Sequence, residues 1–391
     1  MEAGSNSTLP GGTASHYHAP PETLSELVAL AGVRFDGDHP WDIQVKNPRL
    51  YERVMRHGAL GFGESYVDGD WDAGKLDELF VRFLSANLDR HIRGVTRLRF
   101  LLSLLKEMLI NRQSRQRAFQ VGEQHYDIGN DVYTAMLDPS MSYSCGYWEH
   151  ADTLEEAQQA KLRMICEKLH LARGERLLDI GCGWGGLAHY AATHYGVEVQ
   201  GITVSKKQQA FAQERCRDLP VTIALKDYRE LDGSFDKVVS VGMFEHVGPK
   251  NYRRFFQTVF RVMQDDGLFL LHTIGAYANS PVTDPWIDRY IFPNGKIPSA
   301  RQLTTAWESQ LVLEDWHNFG QDYDRTLMAW WDNFREAWPS LKDKYGEPFY
   351  RMWKYYLLCS AGFFRSRQGQ LWQIVLSKRG RHGVYRSIRP A

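Results

Sequence analysis

The sequence predicts an α/β fold with a mostly parallel sheet, preceded by a smaller helical part. Residues 175–186 read ERLLDIGCGWGG, a short apolar run that ends in four glycines and opens a helix pattern. From residue 151 onward, apolar strand patterns alternate with helix patterns. Alternation at this spacing is typical of βαβ units, which make the strands parallel and leave a crevice at their carboxyl ends.

The composition is that of an ordinary globular protein. The 391 residues are 43% hydrophobic and 24% charged, as in most folded domains. Lys and Arg total 47 and so do Asp and Glu, so the overall charge gives no support for nucleic-acid binding. The five cysteines form no CxxC pair, which favours a reducing compartment and argues against a cysteine-based zinc site.

The sequence contains no recognisable membrane span or secretory signal. No run approaches the ~20 apolar residues that a span needs, and the first twenty residues lack a cationic start followed by an apolar core. We therefore expect a cytoplasmic protein that meets any lipid substrate from the water side.

The chain divides into three parts. Residues 1–21 are rich in Gly, Ser, Thr and Pro, and we expect them to be disordered. Residues 22–118 have mainly helical patterns. Residues 119–391 carry the α/β pattern and the motifs that suggest chemistry.

Three patterns predict elements in the helical part. Thr23 and Glu26 have the spacing of a helix-capping box. Residues 58–71 are rich in glycine and aromatic residues, which predicts a loop with short turns. Residues 76–88 have their apolar side chains at helical spacing.

A basic amphipathic segment closes the helical part. Residues 90–117 contain eight basic residues and one acidic residue, Glu107, among a dense apolar set. This pattern is typical of a helix on a membrane surface, where each basic side chain contributes about 1 kcal/mol near an anionic leaflet. An ordinary packing helix with a solvated basic face explains the pattern equally well, and RNA binding is a third, weaker alternative.

The α/β part is predicted element by element from its apolar patterns. Strands are expected at residues 176–180, 198–204, 221–226, 237–241, 268–274 and 371–377. Helices are expected at residues 154–170, capped by Thr153 and Glu156, and at 187–195, 206–216, 252–263, 325–338 and 348–365. Residues 275–305 are expected to form an insertion.

The glycine-rich turn indicates what kind of ligand binds there. The spacing is Gly181-x-Gly183-x-Gly185, which differs from the GxGxxG of dinucleotide-binding enzymes. Asp179, just before the first glycine, would repel a phosphate but suits an ammonium or sulfonium group. The turn resembles the first motif of the class I methyltransferases, which bind S-adenosylmethionine (SAM). The alternative is a glycine-rich turn in another α/β protein.

The next two strand ends carry polar residues suited to the rest of such a ligand. Thr203 and Gln208 follow the second strand and are candidates for its ribose or methionine part. Asp227 and Tyr228 follow the third strand and are candidates for the adenine. A purely structural helix cap by Thr203 or Ser205 is also consistent with the sequence.

Titratable side chains follow the fourth and fifth strands. Glu245, His246 and His272 are brought toward the glycine turn because the carboxyl ends of parallel strands converge. Glu245 and His272 can form a general-base pair or hold a group that acts as one, although a single histidine at a strand end is more often structural. No metal-ligand spacing occurs. For Cys145, a positioning role is favoured over a nucleophilic one, because a sulfonium donor already supplies the electrophile.

Several long motifs resemble the bacterial cyclopropane-fatty-acyl-phospholipid synthases. The resemblance runs from about residue 24 to residue 377. Its most specific motifs are YSCGYW at 143–148, LDIGCGWGGLA at 178–188, SVGMFEHVGPKNY at 240–252, IFPNG at 291–295 and DWHNFG at 315–320.

The resemblance implies a fold and an activity. The fold is the class I SAM-dependent methyltransferase fold with a seven-stranded sheet, and residues 22–118 form a lipid- or membrane-binding domain. The activity is the transfer of a methylene group from SAM to the cis double bond of unsaturated acyl chains in membrane phospholipids. The implied partners are these phospholipids and a second copy of the chain in a homodimer, at the inner face of the cell membrane, with no nucleic acid.

The resemblance also implies which residues form the site. Bicarbonate is held by Cys145, Glu245, His272, Tyr323 and the backbone amide of Ile274, and the four side chains are catalytic. The residues implied to bind SAM are Tyr126, Tyr143, Ser144, Asp179, Gly181, Gly183, Thr203, Gln208, Asp227 and Tyr228. No metal is implied. The family's usual alanine is replaced by Gly146, which is expected to loosen the Cys145 loop, and Lys206-Lys207 replaces a small–acidic pair.

Three other functions remain open. The same scaffold can methylate a lipid without ring closure, giving a methyl or methylene branch. It can also act on a small molecule or a sterol, or serve as a non-catalytic lipid-binding scaffold.

Overall fold

The computed structural model describes residues 19–88, 129–279 and 283–389. The expectations for the tail before residue 19, for the basic segment 90–117 and for Tyr126 lie outside these ranges.

Residues 19–88 form short helices around a two-stranded ladder. The helices are α1 Glu22–Ala29, α2 Arg49–His57, α3 Ala59–Val67 and α4 Leu76–Ser85, and the antiparallel strands are β1 Gln44–Val45 and β2 Trp71–Asp72.

Two sequence-based predictions for this region are wrong. Helix α1 begins after Pro21 without a side-chain cap, so Thr23 lies inside the helix and the capping box does not form. Most of residues 58–71, which were predicted to form a loop, is the helix α3. Its glycines serve close packing rather than turns, because a Cβ at Gly61 would collide with the carbonyl of Arg53 and one at Gly63 with the ring of Trp286.

Residues 129–279 and 283–389 form a three-layered α/β unit. Its helices are α5 Asn130–Met136, α6 Leu154–Lys168, α7 Gly186–Tyr195, α8 Lys206–Arg215, α9 Tyr252–Val262, α10 Pro285–Tyr290, α11 Ala300–Trp307 and α12 Asp322–Arg365. Its strands are β3 Arg176–Ile180, β4 Glu198–Thr203, β5 Val221–Leu225, β6 Phe235–Val241, β7 Met263–Ala276, β8 Leu311–Asn318 and β9 Gly369–Lys378.

The seven strands lie in the order β5-β4-β3-β6-β7-β9-β8. The first five are parallel, and β9 runs antiparallel to both β7 and β8. The six predicted strands are confirmed within a few residues. The seventh, β8, was missed because an irregularity between Leu313 and Asp315 interrupts its alternation.

The caps and breaks of the predicted helices have identifiable causes. Thr153 and Glu156 form the expected capping box of α6. The stretch α12 is two helices joined at Gly346, whose φ of 73° is non-helical, so the two separately predicted helices are confirmed. No helix among the described residues is long and apolar enough to cross a membrane.

The N-terminal helices share a hydrophobic core with α12. Buried residues of α1 to α4, of α5 and of α12 form one contiguous cluster. Arg365 of α12 joins the two parts, since its guanidinium bonds both Asp77 at 2.6 Å and Asp324 at 2.8 Å. The boundary predicted at residue 118 remains a prediction, but residues 22–88 are packed against the C-terminal helix.

We expect Trp353→Ala to destabilise the whole protein. Trp353 is fully buried in the shared cluster and stacks on Phe349 at 5.5 Å. Truncating a buried Trp costs about 3–5 kcal/mol, which urea denaturation would measure as a lower free energy of unfolding. Val384→Ala is the control, since Val384 is 86% exposed and its change should stay within about 0.5 kcal/mol. Equal effects of the two substitutions would contradict the shared core.

Candidate functional site

A cavity of about 740 Å³ opens at the carboxyl ends of the parallel strands. Its walls come from the strand ends, from the insertion after β7, and from α4 and α12. The position and volume of this cavity match the ligand-binding crevice expected in an open α/β sheet. Nine of the ten residues implied to bind SAM line it, and the tenth, Tyr126, lies outside the described residues.

The glycine turn forms the floor of this cavity. Gly181, Gly183 and Gly185 all have positive φ angles, of 86°, 53° and 80°. Gly185 is the N-cap of α7. This conformation needs glycine, and it brings bare backbone to the ligand at a helix N-terminus.

Asp179 is a buried carboxyl group on the cavity wall. It is 2% exposed, and burial raises its pKa to about 7, although the nearby Lys161 ammonium acts in the opposite direction. An incoming cation would favour the carboxylate form. The side chain therefore suits the ammonium or sulfonium ligand that the sequence predicted.

Thr203 and Gln208 are hydrogen-bonded to each other. The Thr203 hydroxyl donates to Gln208 Oε1 at 2.9 Å, which leaves the amide nitrogen of Gln208 as a donor beside the cavity. Ser205 accepts from the Gln208 backbone amide and caps α8. Both interpretations of this strand end, ligand contact and helix cap, are compatible with the geometry.

Asp227 and Tyr228 line the adenine end predicted from the sequence. Asp227 accepts from the backbone amide and the guanidinium of Arg229, both at 2.9 Å. These bonds hold the carboxylate in place, and each oxygen keeps a second lone pair. The Tyr228 side chain is buried, and the guanidinium carbon of Arg229 lies 4.8 Å from the centre of its ring.

Glu245 connects the ends of β6 and β7. It lies on a short 3-10 helix, and its Oε1 accepts from the Ile274 backbone amide at 2.7 Å. Burial raises its pKa above the ordinary range, while the amide of Ile274 acts to lower it. Its other oxygen, Oε2, is buried and has no hydrogen-bond partner among the described residues.

His272 is another buried group with an unpaired atom. It is 1% exposed, and its Nδ1 lies 3.3 Å from Gln373 Nε2. Its Nε2 is buried and has no hydrogen-bond partner in the described part of the chain, so no direct bond joins it to Glu245. The direct general-base pair considered from the sequence is therefore absent, and the alternative, that the two residues hold a third group, is retained.

Cys145 is fixed by a tight loop rather than a loose one. Thr326 accepts from the Gly146 backbone amide at 3.1 Å and from Trp148 Nε1 at 2.8 Å. A Cβ at Gly146 would lie 2.9 Å from that of Ala157, so the glycine permits close packing and the expected loosening is not observed. Burial raises the pKa of the Cys145 thiol well above its usual range, which argues against a thiolate nucleophile.

The five residues that the resemblance implies hold bicarbonate, called the cage below, occupy two layers. Glu245, Ile274 and Tyr323 line the cavity, whereas Cys145 and His272 do not. Cys145 belongs to a buried cluster against which Ile274 and Tyr323 pack. His272 lies two residues before Ile274 on β7, so the two side chains share a face of the strand.

Three features of the site were missed in the sequence. Lys161, 2% exposed, donates to Ser144 Oγ at 3.0 Å, and Thr326 holds the Cys145 loop. Neither has a sequence signal, because each depends on a contact between distant elements. The third is an aromatic wall on α4 and α12, whose only signal was the aromatic density of residues 348–365. It comprises Phe80, Tyr355, Tyr356, Phe363 and Phe364.

Comparison with known proteins agrees with this geometry. The family model described as mycolic acid cyclopropane synthetase matches residues 113–374. The cyclopropane-fatty-acyl-phospholipid synthase of Escherichia coli strain K12 is 54% identical over 367 residues, which are 94% of each chain.

Solved structures of similar fold include two cyclopropane synthases. The cyclopropane synthase MmaA2 from Mycobacterium tuberculosis is 32% identical with a TM-score of 0.63, covering 66% of this chain and 98% of the other. The mycolic acid cyclopropane synthase CmaA1, complexed with S-adenosylhomocysteine (SAH) and CTAB, has the same TM-score and coverage at 30% identity.

The fold and the glycine-lined crevice define a class I SAM-dependent methyltransferase, with SAM as the co-substrate. Within that class the chain belongs to the mycolic acid cyclopropane synthetase family, whose model matches about two thirds of its length.

The ionisation of Asp179 should control the binding of SAH, the product that SAM leaves after methyl transfer. The carboxylate attracts the ligand's ammonium, so we expect SAH affinity to rise from about pH 6 to about pH 8, as the pKa near 7 predicts. Asp179→Asn should bind SAH about tenfold more weakly. Isothermal titration would measure both effects.

The Asp179→Asn variant also serves as the control for other titrating groups. Burial lowers the pKa of Lys161 to about 8, and Asp179 acts to raise it. In the variant Lys161 still titrates, at a lower pH. A pH dependence as steep in the variant as in the parent protein would rule out Asp179 as the titrating group.

Proposed function

We propose that this protein transfers a methylene group from SAM to the cis double bond of unsaturated acyl chains in membrane phospholipids, forming cyclopropane rings. The observation that carries the proposal is the 54% identity to a cyclopropane-fatty-acyl-phospholipid synthase across 94% of both chains. The reaction also produces SAH and a proton.

The cavity suits an apolar chain beside a polar donor. Its polar end is formed by the glycine turn, Asp179 and Asp227, and its other walls carry Phe80 and Leu84 of α4 and the aromatic residues of α12. An unactivated alkene is a weak nucleophile, and it must meet the sulfonium methyl away from water. Aromatic faces would stabilise the resulting carbocation by about 0.5–2 kcal/mol each through cation–π contact.

The buried polar groups fit a small oxyanion such as bicarbonate. Within the described residues, Glu245 Oε2 and His272 Nε2 are buried without hydrogen-bond partners. Buried polar atoms are rarely left unpaired unless a ligand or water binds to them. Burial raises the pKa of Glu245 and of Tyr323. A raised pKa favours the protonated form of each group, which is the form that donates a hydrogen bond.

The residues that would hold bicarbonate are Glu245, His272, Tyr323 and Cys145. When bound, bicarbonate would supply the base for the proton released at ring closure. The amide of Ile274, the fifth member implied by the resemblance, is engaged by Glu245. The Ile274 amide would thus orient the Glu245 carboxyl group so that its Oε2 faces the anion.

The activity is tested by incubating the protein with SAM and unsaturated phospholipid vesicles, followed by fatty-acid analysis. Cyclopropane and methylene products have the same mass, so proton NMR in the cyclopropane region is required. Branched products without ring signals would favour the lipid C-methyltransferase, and an absence of turnover would favour a non-catalytic lipid-binding protein.

Substitutions in the cage should affect turnover far more than ligand binding. We expect Glu245→Gln or Cys145→Ala to lower turnover about 100-fold, as the loss of an oriented polar group in an active site does, while SAH affinity stays nearly unchanged. Glu308→Gln is the matched control, since Glu308 is exposed at the end of α11. Near-normal turnover in either cage variant would refute the bicarbonate assignment.

We further infer that the protein acts at the inner face of the cell membrane as a homodimer, with residues 22–118 contacting lipid. A dimer contacts the membrane through both subunits, which strengthens a weak membrane affinity without any new type of interaction. Light scattering coupled to size exclusion would measure the mass. A monomer at all protein concentrations would contradict the dimer.

Membrane binding should depend on lipid charge and on salt. With eight basic residues in 90–117, the protein should sediment with anionic vesicles more than with neutral ones, and less as salt rises. Replacing Arg112, Arg115 and Arg117 with Gln should weaken binding by about 1 kcal/mol per residue. Salt-insensitive binding would exclude this account.

A further inference from the structure

Lys168 is a fully buried cation behind the candidate site. It is the last residue of α6, its side chain is 0% exposed, and its Nζ lies 2.8 Å from Gln373 Oε1 and 3.0 Å from His317 Nδ1. Asp315 lies 4.0 Å away. Such a side chain is costly to bury, and neither the glycine turn nor the cage explains it.

Three strands place the partners of Lys168 side by side. Gln373 on β9 is directly opposite His272 on β7 and His317 on β8. Directly opposite residues project from the same face of a sheet. Gln373 therefore lies between the two histidines, with Lys168 contacting it from α6.

The contact with Lys168 decides which way the Gln373 amide faces. An ammonium group has donors only, so the amide oxygen must face it and the amide nitrogen must face His272. The amide nitrogen also only donates, so His272 Nδ1, at 3.3 Å, must accept. In a neutral imidazole the proton then lies on Nε2.

We propose that Lys168 and Gln373 are positioning residues that hold His272 in its Nε2–H tautomer and so present an N–H donor to the anion held with Glu245. The role toward an anion rests on the proposed function, whereas the tautomer does not. His272 Nε2 is buried and has no hydrogen-bond partner in residues 129–279 or the other described ranges. The proposal places the anion at this atom.

The surroundings keep His272 neutral and Lys168 in place. Burial, Lys161 and Lys168 lower the pKa of His272 well below its ordinary value. The Tyr385 hydroxyl donates to the Lys168 carbonyl at 3.0 Å, and Arg389 bonds Asp315 with its guanidinium at 2.6 Å. The C-terminal residues thus cover the Lys168 site.

The tautomer can be measured directly. Protein labelled with ¹⁵N-histidine would be studied by long-range ¹H–¹⁵N correlation at pH 6, below the pKa of Lys168, which burial and Arg389 lower to about 7. His272→Phe would assign the signals. We expect the parent protein to show the proton on Nε2, and Lys168→Met and Gln373→Leu to show a mixture of tautomers.

Kinetics should separate positioning from folding. We expect Lys168→Met to lower turnover about tenfold, as outer partners of active histidines do, with SAH affinity unchanged. His317→Phe is the matched control, because it removes another partner of Lys168 and leaves the Gln373 contact intact. It should change neither the tautomer nor turnover appreciably.

Two results would overturn the proposal. One is a His272 in the parent protein whose Nε2 carries no proton. The other is a tautomer that is unchanged in both Lys168→Met and Gln373→Leu. If the tautomer behaves as expected but vesicles yield no cyclopropane product, the positioning role of Lys168 and Gln373 stands and the proposed function fails.

Discussion

The requirement that buried polar atoms be paired governs the centre of this molecule. The Ile274 amide satisfies one oxygen of Glu245, and Gln373 satisfies one nitrogen of His272. The second atom of each side chain has no hydrogen-bond partner among the residues that the structure describes. The two side chains lie on the short 3-10 helix after β6 and on β7. They form a site that a small polar ligand can complete, and their fixed partners determine how they face it.

The long C-terminal helix pair makes this site possible by joining parts of the chain that are distant in sequence. Helix α12 supplies Tyr323 and Thr326 near its start and the aromatic wall near its end. It also packs on α4, so the N-terminal helices contribute Phe80 to the same cavity. A cavity with a polar end at the sheet and an apolar wall between helices can hold a charged donor and an alkyl chain together.

Local patterns predicted much of the architecture, and the failures have physical causes. The strand–glycine–helix turn and the capping box at Thr153 were correct because sequence-local backbone requirements determine them. Strand β8 was missed because an irregularity breaks its alternation. Helix α3 was predicted as a loop because Gly61 and Gly63 suggested turns, whereas both glycines make room for neighbouring groups that sequence alone cannot reveal.

The sequence by itself determined the parallel sheet, the glycine turn and the set of polar residues at the strand ends, because periodicity and glycine conformation act over a few residues. Only the tertiary structure decided how those residues are arranged. It placed Glu245 and His272 without a direct bond between them. It also formed the tight loop around Cys145 and the contact of Lys168 with Gln373, which join elements far apart in the chain. Hydrogen bonds of this kind depend on register and packing, which no local pattern encodes.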